Sequence, residues 1–297
     1  MNSEEILKLE VRLLCEGIRS VYGYDFSDYS EASFLRRCKL WLSNSGFSSF
    51  SEAQSRVLRD PVTFESLLHG ITVNVTEMFR DPDFFMVLRQ KIIPYLQTYP
   101  FIKIWLAGCS TGEEAYSMAI LLHEAGMQGR YRIYATDINE RVLQQAKDGI
   151  FPIWQMQSYS QSYQAAGGTA CFSDYYTEAY GHTIFMPELK KDLIFSQHNL
   201  LIDAEPGEMN LILCRNVLIY FKPEMKDRCI ALFNRALVSG GFLCLGSQES
   251  LSTRELFSLY EKFAPHRSIY RKKYANASTS ELPCTRHYRS ARRGVGA

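Results

Sequence analysis

The segment between residues 104 and 114 combines an apolar run, a turn that contains glycines, and two acids. Residues 101–107 are mostly apolar and rich in Ile and Trp, which predicts a buried strand. Gly108 and Gly112 bound the turn, and Glu113 and Glu114 begin a predicted helix. In a parallel sheet, ligands bind beyond the carboxyl ends of the strands, and glycines let the backbone come close to them. This segment therefore predicts a binding site for a small molecule.

The charges around the turn narrow the chemistry of that molecule. Asp137 ends the next predicted strand, 25 residues after Gly112, where a carboxylate can accept hydrogen bonds from both hydroxyls of a ribose. Nicotinamide enzymes share this pattern, but the glycine spacing is not GxGxxG, and two acids after Gly112 disfavour a pyrophosphate. A cationic sulfonium tolerates those acids, which favours S-adenosylmethionine (SAM) over NAD. The alternative for Glu113 and Glu114, first-turn acids that complement the helix dipole, stays open.

Three further segments carry polar side chains where a site could form. They are NVTEMFR at residues 74–80, QHNL at 197–200 and CRNVLIYF at 214–221. The third follows a predicted strand, at the edge where a parallel sheet opens its site. Each segment also has an ordinary structural alternative: caps for Asn74 and Thr76, a surface ion pair for Arg80, an aromatic cluster around residue 218, or an edge loop around His198.

Together with AGCSTGEEAYS and ATDIN, these segments resemble the motif set of the CheR-type chemotaxis receptor methyltransferases, which are SAM-dependent enzymes that esterify glutamate side chains. The resemblance runs in order from about residue 20 to residue 273. It implies an all-helical N-terminal domain over residues 1–80 and a doubly wound α/β SAM-binding domain over residues 81–273. It also implies a small antiparallel β-subdomain inserted at about 152–196. The basic segment 274–297 is predicted to be disordered.

The same resemblance implies roles for individual residues. Arg80 and Tyr220 match the two positions thought to serve the chemistry. The implied SAM-binding residues are Asn74, Thr76, Arg80, Glu114, Asp137, Asn199, Leu200, Arg215 and Asn216. Arg36, Arg37 and Lys39 match a basic helix that faces the receptor in this family, with a solvated helix face as the alternative. No metal is expected.

The reaction that the resemblance implies suits these residue types. A substrate carboxylate is already ionised at pH 7, because its unperturbed pKa is about 4.3, so no general base is needed. An anion and a sulfonium neutralise each other on the way to the transition state, so a closed and preorganised pocket favours the reaction. Arg80 could orient the carboxylate, and the Tyr220 hydroxyl could fix its other oxygen or an edge of the cofactor. We expect Arg80 to position the substrate without pairing tightly, since a tight pair would weaken the nucleophile.

Composition excludes several classes of protein. With 297 residues, 46% apolar and 22% charged, the chain fits a globular protein of about two domains without a membrane span. The net charge of +1 conceals a basic end: residues 271–297 carry seven Lys or Arg and one acid, so the remainder carries −5. That acidic body argues against a nucleic-acid enzyme. The eight cysteines lie at least 15 residues apart, which excludes a zinc knuckle and suits reduced thiols in the cytoplasm.

The resemblance implies that the partner is the cytoplasmic helical bundle of a methyl-accepting receptor. No nucleic acid, no membrane insertion and a monomeric enzyme are expected. The segment 168–189 is longer than in family members that dock a peptide at the receptor's C-terminus, and its DYYT motif and the following NLL suggest a branch that serves signalling outside flagellar chemotaxis. Whether the β-subdomain docks such a peptide stays open. Two alternatives stay open: a SAM-sensing scaffold without turnover, and a methyltransferase for small carboxylic acids or RNA. In local structure, we expect Ser3 and Ser51 to cap the starts of two helices, residues 149–173 to form small strands and loops, and Gly240-Gly241 to break the chain.

Overall fold

A computed structural model of the chain describes residues 2–27, 29–72, 76–251, 258–264 and 267–274. Helices α1–α11 cover Ser3–Tyr22, Glu31–Ser45, Phe50–Val57, Pro61–Ile71, Pro82–Val87, Ile93–Leu96, Glu113–Glu124, Glu140–Asp148, Met156–Ala165, Pro187–Lys190 and Pro223–Ala236. Strands β1–β10 cover Ile102–Ala107, Tyr131–Asp137, Ile150–Pro152, Tyr176–Ala179, His182–Phe185, Leu193–Gln197, Met209–Cys214, Leu237–Leu245, Tyr260–Ala264 and Ile269–Lys272. Apart from Tyr274, the predicted disordered tail lies outside the described residues, and so does Asn74.

Local hydrogen bonds set the ends of the N-terminal helices α1–α4. α1 begins with a capping box in which Asn2 Oδ1 accepts from the Glu5 N–H and Glu5 Oε2 accepts from the Asn2 N–H, each at 2.8 Å. The Ser49 hydroxyl accepts from the N–H of Glu52 at the start of α3. The predicted caps Ser3 and Ser51 are therefore wrong, since each cap lies one or two residues earlier. The four helices enclose their own core, which includes Leu14, Ile18, Phe50 and Leu67.

A seven-stranded sheet lies beyond these helices, in the order β6-β2-β1-β7-β8-β10-β9. The first five strands are parallel, and β10 and β9 complete the sheet as antiparallel strands. From β1 the chain crosses over to β2 and β6 on one side, and it returns to place β7 on the other side of β1. The carboxyl ends of β1 and β7 therefore flank the switch point at which doubly wound sheets bind ligands. The predicted fold class is confirmed.

A three-stranded antiparallel sheet, β3-β5-β4, is inserted between α8 and β6, and we call residues 150–190 the β-subdomain. Its strands agree with the expected antiparallel insertion, but the segment also contains α9, which the Gln- and Ser-rich composition did not suggest. Met156, Tyr159 and Tyr163 are buried at spacings of three and four residues. These three side chains form one apolar stripe and explain why an uncharged polar segment folds as a helix.

The glycine pair at residues 240–241 does not break the chain as expected, because β8 continues through it. Met209 pairs with Leu237, whereas Leu211 pairs with Phe242, so β8 bulges between these two pairs. Gly240 has a φ of 78° in the bulge. A β-bulge adds residues to one strand without ending the ladder, and glycine accommodates the positive φ there.

The helical part is joined to the sheet at the switch point. The Ser30 N–H donates to the Tyr220 carbonyl at 2.8 Å, and Tyr29 pairs with Phe221. The rings of Tyr29 and Phe221 lie edge to face with their centroids 5.2 Å apart. These contacts hold the N-terminus of α2 over the carboxyl end of β7. None of the helices in the described ranges is long and apolar enough to cross a membrane.

Candidate active site

A cleft opens at the carboxyl ends of β1, β2 and β7, beneath α2 and the segment that follows α4. All the predicted catalytic and cofactor residues that the structure describes line it: Thr76, Arg80, Glu114, Asp137, Asn199, Leu200, Arg215, Asn216 and Tyr220. Residues that are more than 140 positions apart in the sequence therefore meet at one sheet edge. Of the three basic residues predicted on α2, only Arg37 lines the cleft, while Arg36 and Lys39 are exposed. Successive helical residues point about 100° apart, which separates Arg37 from the other two.

The glycine turn brings backbone and small side chains to the cleft. The N–H groups of Gly108 and Cys109 both donate to the Thr136 carbonyl, at 2.8 and 2.9 Å. Gly108 has a φ of 82°, and a Cβ there would lie 2.4 Å from Val217 Cγ2. Ser110 also has a positive φ, and its buried hydroxyl has no hydrogen-bond partner among the described residues. The turn is thus fixed by its backbone and leaves one buried hydroxyl for a ligand.

Asp137 ends β2 with a carboxylate that is already oriented. Its Oδ2 accepts from the Ser110 N–H at 2.9 Å and its Oδ1 accepts from the Asn139 N–H at 3.0 Å. Burial raises the pKa of this carboxyl, and the backbone hydrogen bonds oppose that rise. Each oxygen keeps a further lone pair, so the group can accept two more hydrogen bonds. A ribose diol supplies two such donors.

The buried side chain of Arg215 connects several groups of the cleft. Its Nη1 donates to Glu114 Oε1 at 2.6 Å, and its Nη2 donates to Asp81 Oδ2 at 2.5 Å and to the Arg80 carbonyl at 3.0 Å. The guanidinium also lies 4.0 Å from the centroid of the Phe84 ring, and the side chain is only 3% exposed. A buried charge that is paired in this way fixes its partners in place. Arg215 therefore positions Glu114 and the Arg80 backbone.

Glu249 is a residue of the site that the sequence reasoning missed. Its Oε1 accepts from the N–H groups of Val217 and Ile219, at 2.9 and 3.3 Å. Its Oε2 accepts from those of Asn216 and Gly246, at 3.0 and 2.6 Å. This buried carboxylate therefore holds the loop that carries Asn216 and Tyr220. The only signal in the sequence is an acid shortly after a strand and a glycine, which is too common to single out.

Arg37 and Tyr220 meet at the mouth of the cleft. The Arg37 guanidinium carbon lies 5.1 Å from the centroid of the Tyr220 ring, and its Nη1 makes a long hydrogen bond of 3.4 Å to the Thr72 carbonyl. The buried Nε of Arg37 has no hydrogen-bond partner among the described residues. Burial lowers the pKa of this guanidinium, which nevertheless stays protonated because an arginine pKa lies above 12. Arg37 therefore brings a charged donor from the N-terminal helices into the cleft.

The far wall of the cleft is formed by the loop after β6. Asn199 Oδ1 accepts from the Leu201 N–H at 3.0 Å, and the Asn199 N–H donates to Asp203 Oδ2 at 2.7 Å. Leu200 adds an apolar surface, and His198 Nε2 lies 2.8 Å from the Ala204 carbonyl. Because a carbonyl can only accept, His198 Nε2 carries the proton, and the buried Nδ1 is left as an acceptor without a partner in the described ranges.

These features fit a nucleoside cofactor with an amino-acid end. Asp137 and His198 Nδ1 supply acceptors, the Ser110 hydroxyl is unpaired, and Glu114 offers a carboxylate to an ammonium or sulfonium. No group of three or more His, Cys, Asp or Glu side chains in the described ranges could hold a metal ion. The buried cysteine thiols have raised pKa values because burial disfavours the thiolate, so at neutral pH they are poor nucleophiles.

Comparisons with known proteins match both the helical part and the sheet-containing part of the chain. The description "CheR methyltransferase, all-alpha domain" matches residues 9–72, and "CheR methyltransferase, SAM binding domain" matches residues 74–263. A Pseudomonas putida protein that bears the name methyltransferase Cher3 is 46% identical over 92% of this chain and 100% of its own length. A chemotaxis protein methyltransferase of Listeria innocua is 30% identical over 77% of this chain and 85% of its own. Chemotaxis protein methyltransferase 1 of Vibrio cholerae is 30% identical over 85% and 93%.

Proposed function

Because this chain belongs to the CheR methyltransferase family, a family of SAM-dependent methyltransferases, we propose that it methylates glutamate side chains of a chemoreceptor-like signalling protein. The products are glutamate methyl esters and S-adenosylhomocysteine. One observation carries the proposal beyond the family: Arg37 reaches from the N-terminal helices to Tyr220, above the braced cofactor cleft. That arrangement offers positive charge to an anionic acceptor where the cleft opens to a protein substrate.

The cofactor would be held by groups whose geometry is already fixed. Asp137 would accept the ribose hydroxyls, Asn199 and Leu200 would line the adenine side, and Glu114 and Thr76 would face the amino-acid end. When bound, SAM supplies a methyl group on a positively charged sulfur. Preorganisation matters here, since an anion and a cation lose charge together and mobile water would resist that loss.

The acceptor carboxylate would be positioned by donors from both halves of the molecule. Arg80 and Arg37 line the same cleft, and a guanidinium holds a carboxylate through two parallel hydrogen bonds. The Tyr220 hydroxyl is a third donor at the same mouth. Correct alignment of the acceptor oxygen can contribute about 7–11 kcal/mol to lowering the barrier. Since glutamate is ionised at pH 7, these residues need only orient it.

Arg36 and Lys39 are exposed on α2 and do not line the cleft. We propose that they attract an acidic helical segment of the receptor, while Arg37 enters the site. A methyl-accepting helical bundle is cytoplasmic, so we place the enzyme in that compartment.

The direct test is incubation of the full chain with SAM labelled in the methyl group and membranes from the source cell. The proposal predicts a labelled band of receptor size whose label is released as methanol by alkali, because methyl esters hydrolyse readily. The variant Asp137→Asn should lose the labelling, and Asp174→Asn, which removes an exposed acid of the β-subdomain, should keep it. Cofactor binding without any transfer would contradict the proposal and favour a SAM-sensing scaffold. Alkali-stable label would point to a different acceptor.

A further inference from the structure

Glu113 is not part of the cofactor cleft, although it is adjacent to Glu114. The two acids begin α7, and consecutive helical side chains diverge by about 100°. Glu114 is held by Arg215 in the cofactor cleft, whereas Glu113 lines a second cleft between the N-terminal end of α7 and the β-subdomain. Thr76 and Glu77 line both clefts. The second cleft is therefore an immediate neighbour of the proposed methyl-transfer site.

The second cleft is acidic and carries an exposed aromatic ring. Glu77, Glu113 and Asp148 line it, and none of its described lining residues is a lysine or an arginine. His182 is exposed at its edge, and Trp154 is 74% exposed. The Lys190 ammonium donates to the Asp148 carbonyl, and Lys190 lies outside the lining. Carboxylates beside an open indole face form a suitable environment for an organic cation.

An unsatisfied polar group inside the cleft also indicates a ligand. Tyr159 is only 3% exposed, and its hydroxyl approaches the Glu113 carboxyl without forming a well-aligned hydrogen bond, so its oxygen is left as a buried acceptor without a donor in the described ranges. It lies beside the Glu113 carboxyl, whose pKa burial raises to about 7. Gln155 Oε1, a second lining acceptor, is likewise buried without a donor in the described ranges. Buried polar atoms normally have partners, so a ligand with several N–H donors would complete this site.

We propose that the second cleft is a specificity subsite that binds the side chain of a lysine or arginine in the methylated protein. The inference rests on the proposed glutamate methylation and adds a requirement for the neighbouring sequence. Because the two clefts share Thr76 and Glu77, the cation and the accepting glutamate would come from nearby residues of one substrate helix. Residues three or four apart share a helix face, so those are the expected spacings.

Binding can be tested without any methyl transfer. The probe is N-acetyl-lysine-N-methylamide, with the norleucine analogue as its uncharged control, titrated into the full chain. The readout is the indole N–H signal of Trp154 in NMR, assigned with Trp154→Phe. The lysine probe should bind at least about fivefold more tightly than the norleucine probe. A factor of this size is expected when one ion pair with a carboxylate and one cation–π contact are added. Equal affinities, or no shift with either probe, would overturn the proposal.

Two matched variants test whether the lysine probe binds inside the second cleft. At about pH 8, where the Glu113 carboxyl is ionised, Glu113→Gln removes a charge inside the cleft and should weaken lysine binding about threefold or more. Glu178→Gln removes the same charge from an exposed position on β4, outside the lining, and should leave binding unchanged. If the two variants behave alike, the probe senses only the general charge of the β-subdomain, and the subsite does not exist.

Helical peptides then link the subsite to specificity. Each pair contains one glutamate and, three or four residues away, either lysine or glutamine, and kcat/KM is measured with SAM. A preference for lysine of about fivefold, most of which is lost in Glu113→Gln, is expected. Methylation without preference would overturn the subsite and leave the proposed function intact. A lysine probe that binds as described, with no peptide methylated, would support the subsite and count against glutamate as the acceptor.

Discussion

Glu249 is the residue whose substitution tests the account of the site in most detail. Its carboxylate accepts hydrogen bonds from four backbone N–H groups, and Glu249 is only 5% exposed. Glu249→Gln keeps the shape of the side chain but replaces one oxygen by an NH2 group, which cannot accept. Either orientation of the amide leaves two N–H donors facing another donor. A hydrogen bond to a charged group is worth about 1.5–3 kcal/mol, so losing two should cost about 3–6 kcal/mol.

Two measurements follow from that magnitude. For a chain of this size, each kcal/mol lowers the melting temperature by about 1.5–2 °C, so Glu249→Gln should melt at least about 5 °C lower. Methyl transfer should fall as well, because the loop from Asn216 to Tyr220 loses its anchor. Glu208→Gln is the matched control, since Glu208 is exposed. If Glu249→Gln melts together with Glu208→Gln and retains full activity, Glu249 does not hold this loop.

Three further predictions address the two clefts and α2. Arg80→Ala should lower turnover far more than SAM affinity measured by calorimetry, and equal losses would contradict a positioning role. Burial raises the pKa of Glu113 to about 7 from its ordinary 4.5. As the pH rises from 4.5 to 7, the unfolded chain releases this proton more readily than the folded chain, so folding becomes less favourable. The chain should therefore lose about 1–3 kcal/mol of unfolding free energy relative to Glu113→Gln between pH 4.5 and 7, and a pH-independent difference would refute this. Reversing the charge of Arg36 and Lys39 should raise the KM for the receptor and leave SAM affinity unchanged. Arg37→Ala should instead lower kcat. If both variants change the same kinetic constant, α2 acts only as a charged surface.

The sequence was informative where chemistry and strand ends coincide. Gly108, Asp137 and the segment around Arg215 each follow a buried apolar run, and parallel strands bring their carboxyl ends to one edge. Their meeting at the cleft could therefore be predicted without coordinates. The parallel part of the sheet was predictable for the same reason, since buried parallel strands appear as short apolar runs separated by helices, whereas the antiparallel strands β9 and β10 were not predicted.

The features that could not be predicted depend on hydrogen bonds to backbone groups, on the exact residue at which a helix begins, or on the direction in which a helical residue points. Glu249 acts through N–H groups of a loop that lies about 30 residues earlier, and a backbone N–H leaves no mark on a sequence. The start of α1 at Asn2 or at Ser3 differs by one residue between two good caps. The sequence suggested one basic group formed by Arg36, Arg37 and Lys39. Because successive residues of a helix point in different directions, Arg37 lines the cleft, whereas the other two are exposed to solvent. Neighbouring acids Glu113 and Glu114 separate for the same reason.

The most direct test of the central claim is localisation of the transferred methyl group by tandem mass spectrometry. The full chain, SAM and the cytoplasmic fragment of a receptor from the source cell are incubated together, with Asp137→Asn in parallel. The account predicts a gain of one methyl group on glutamate side chains of the receptor helices, dependent on the unsubstituted Asp137. Methylation of another residue type, or glutamate methylation that is undiminished in Asp137→Asn, would contradict it.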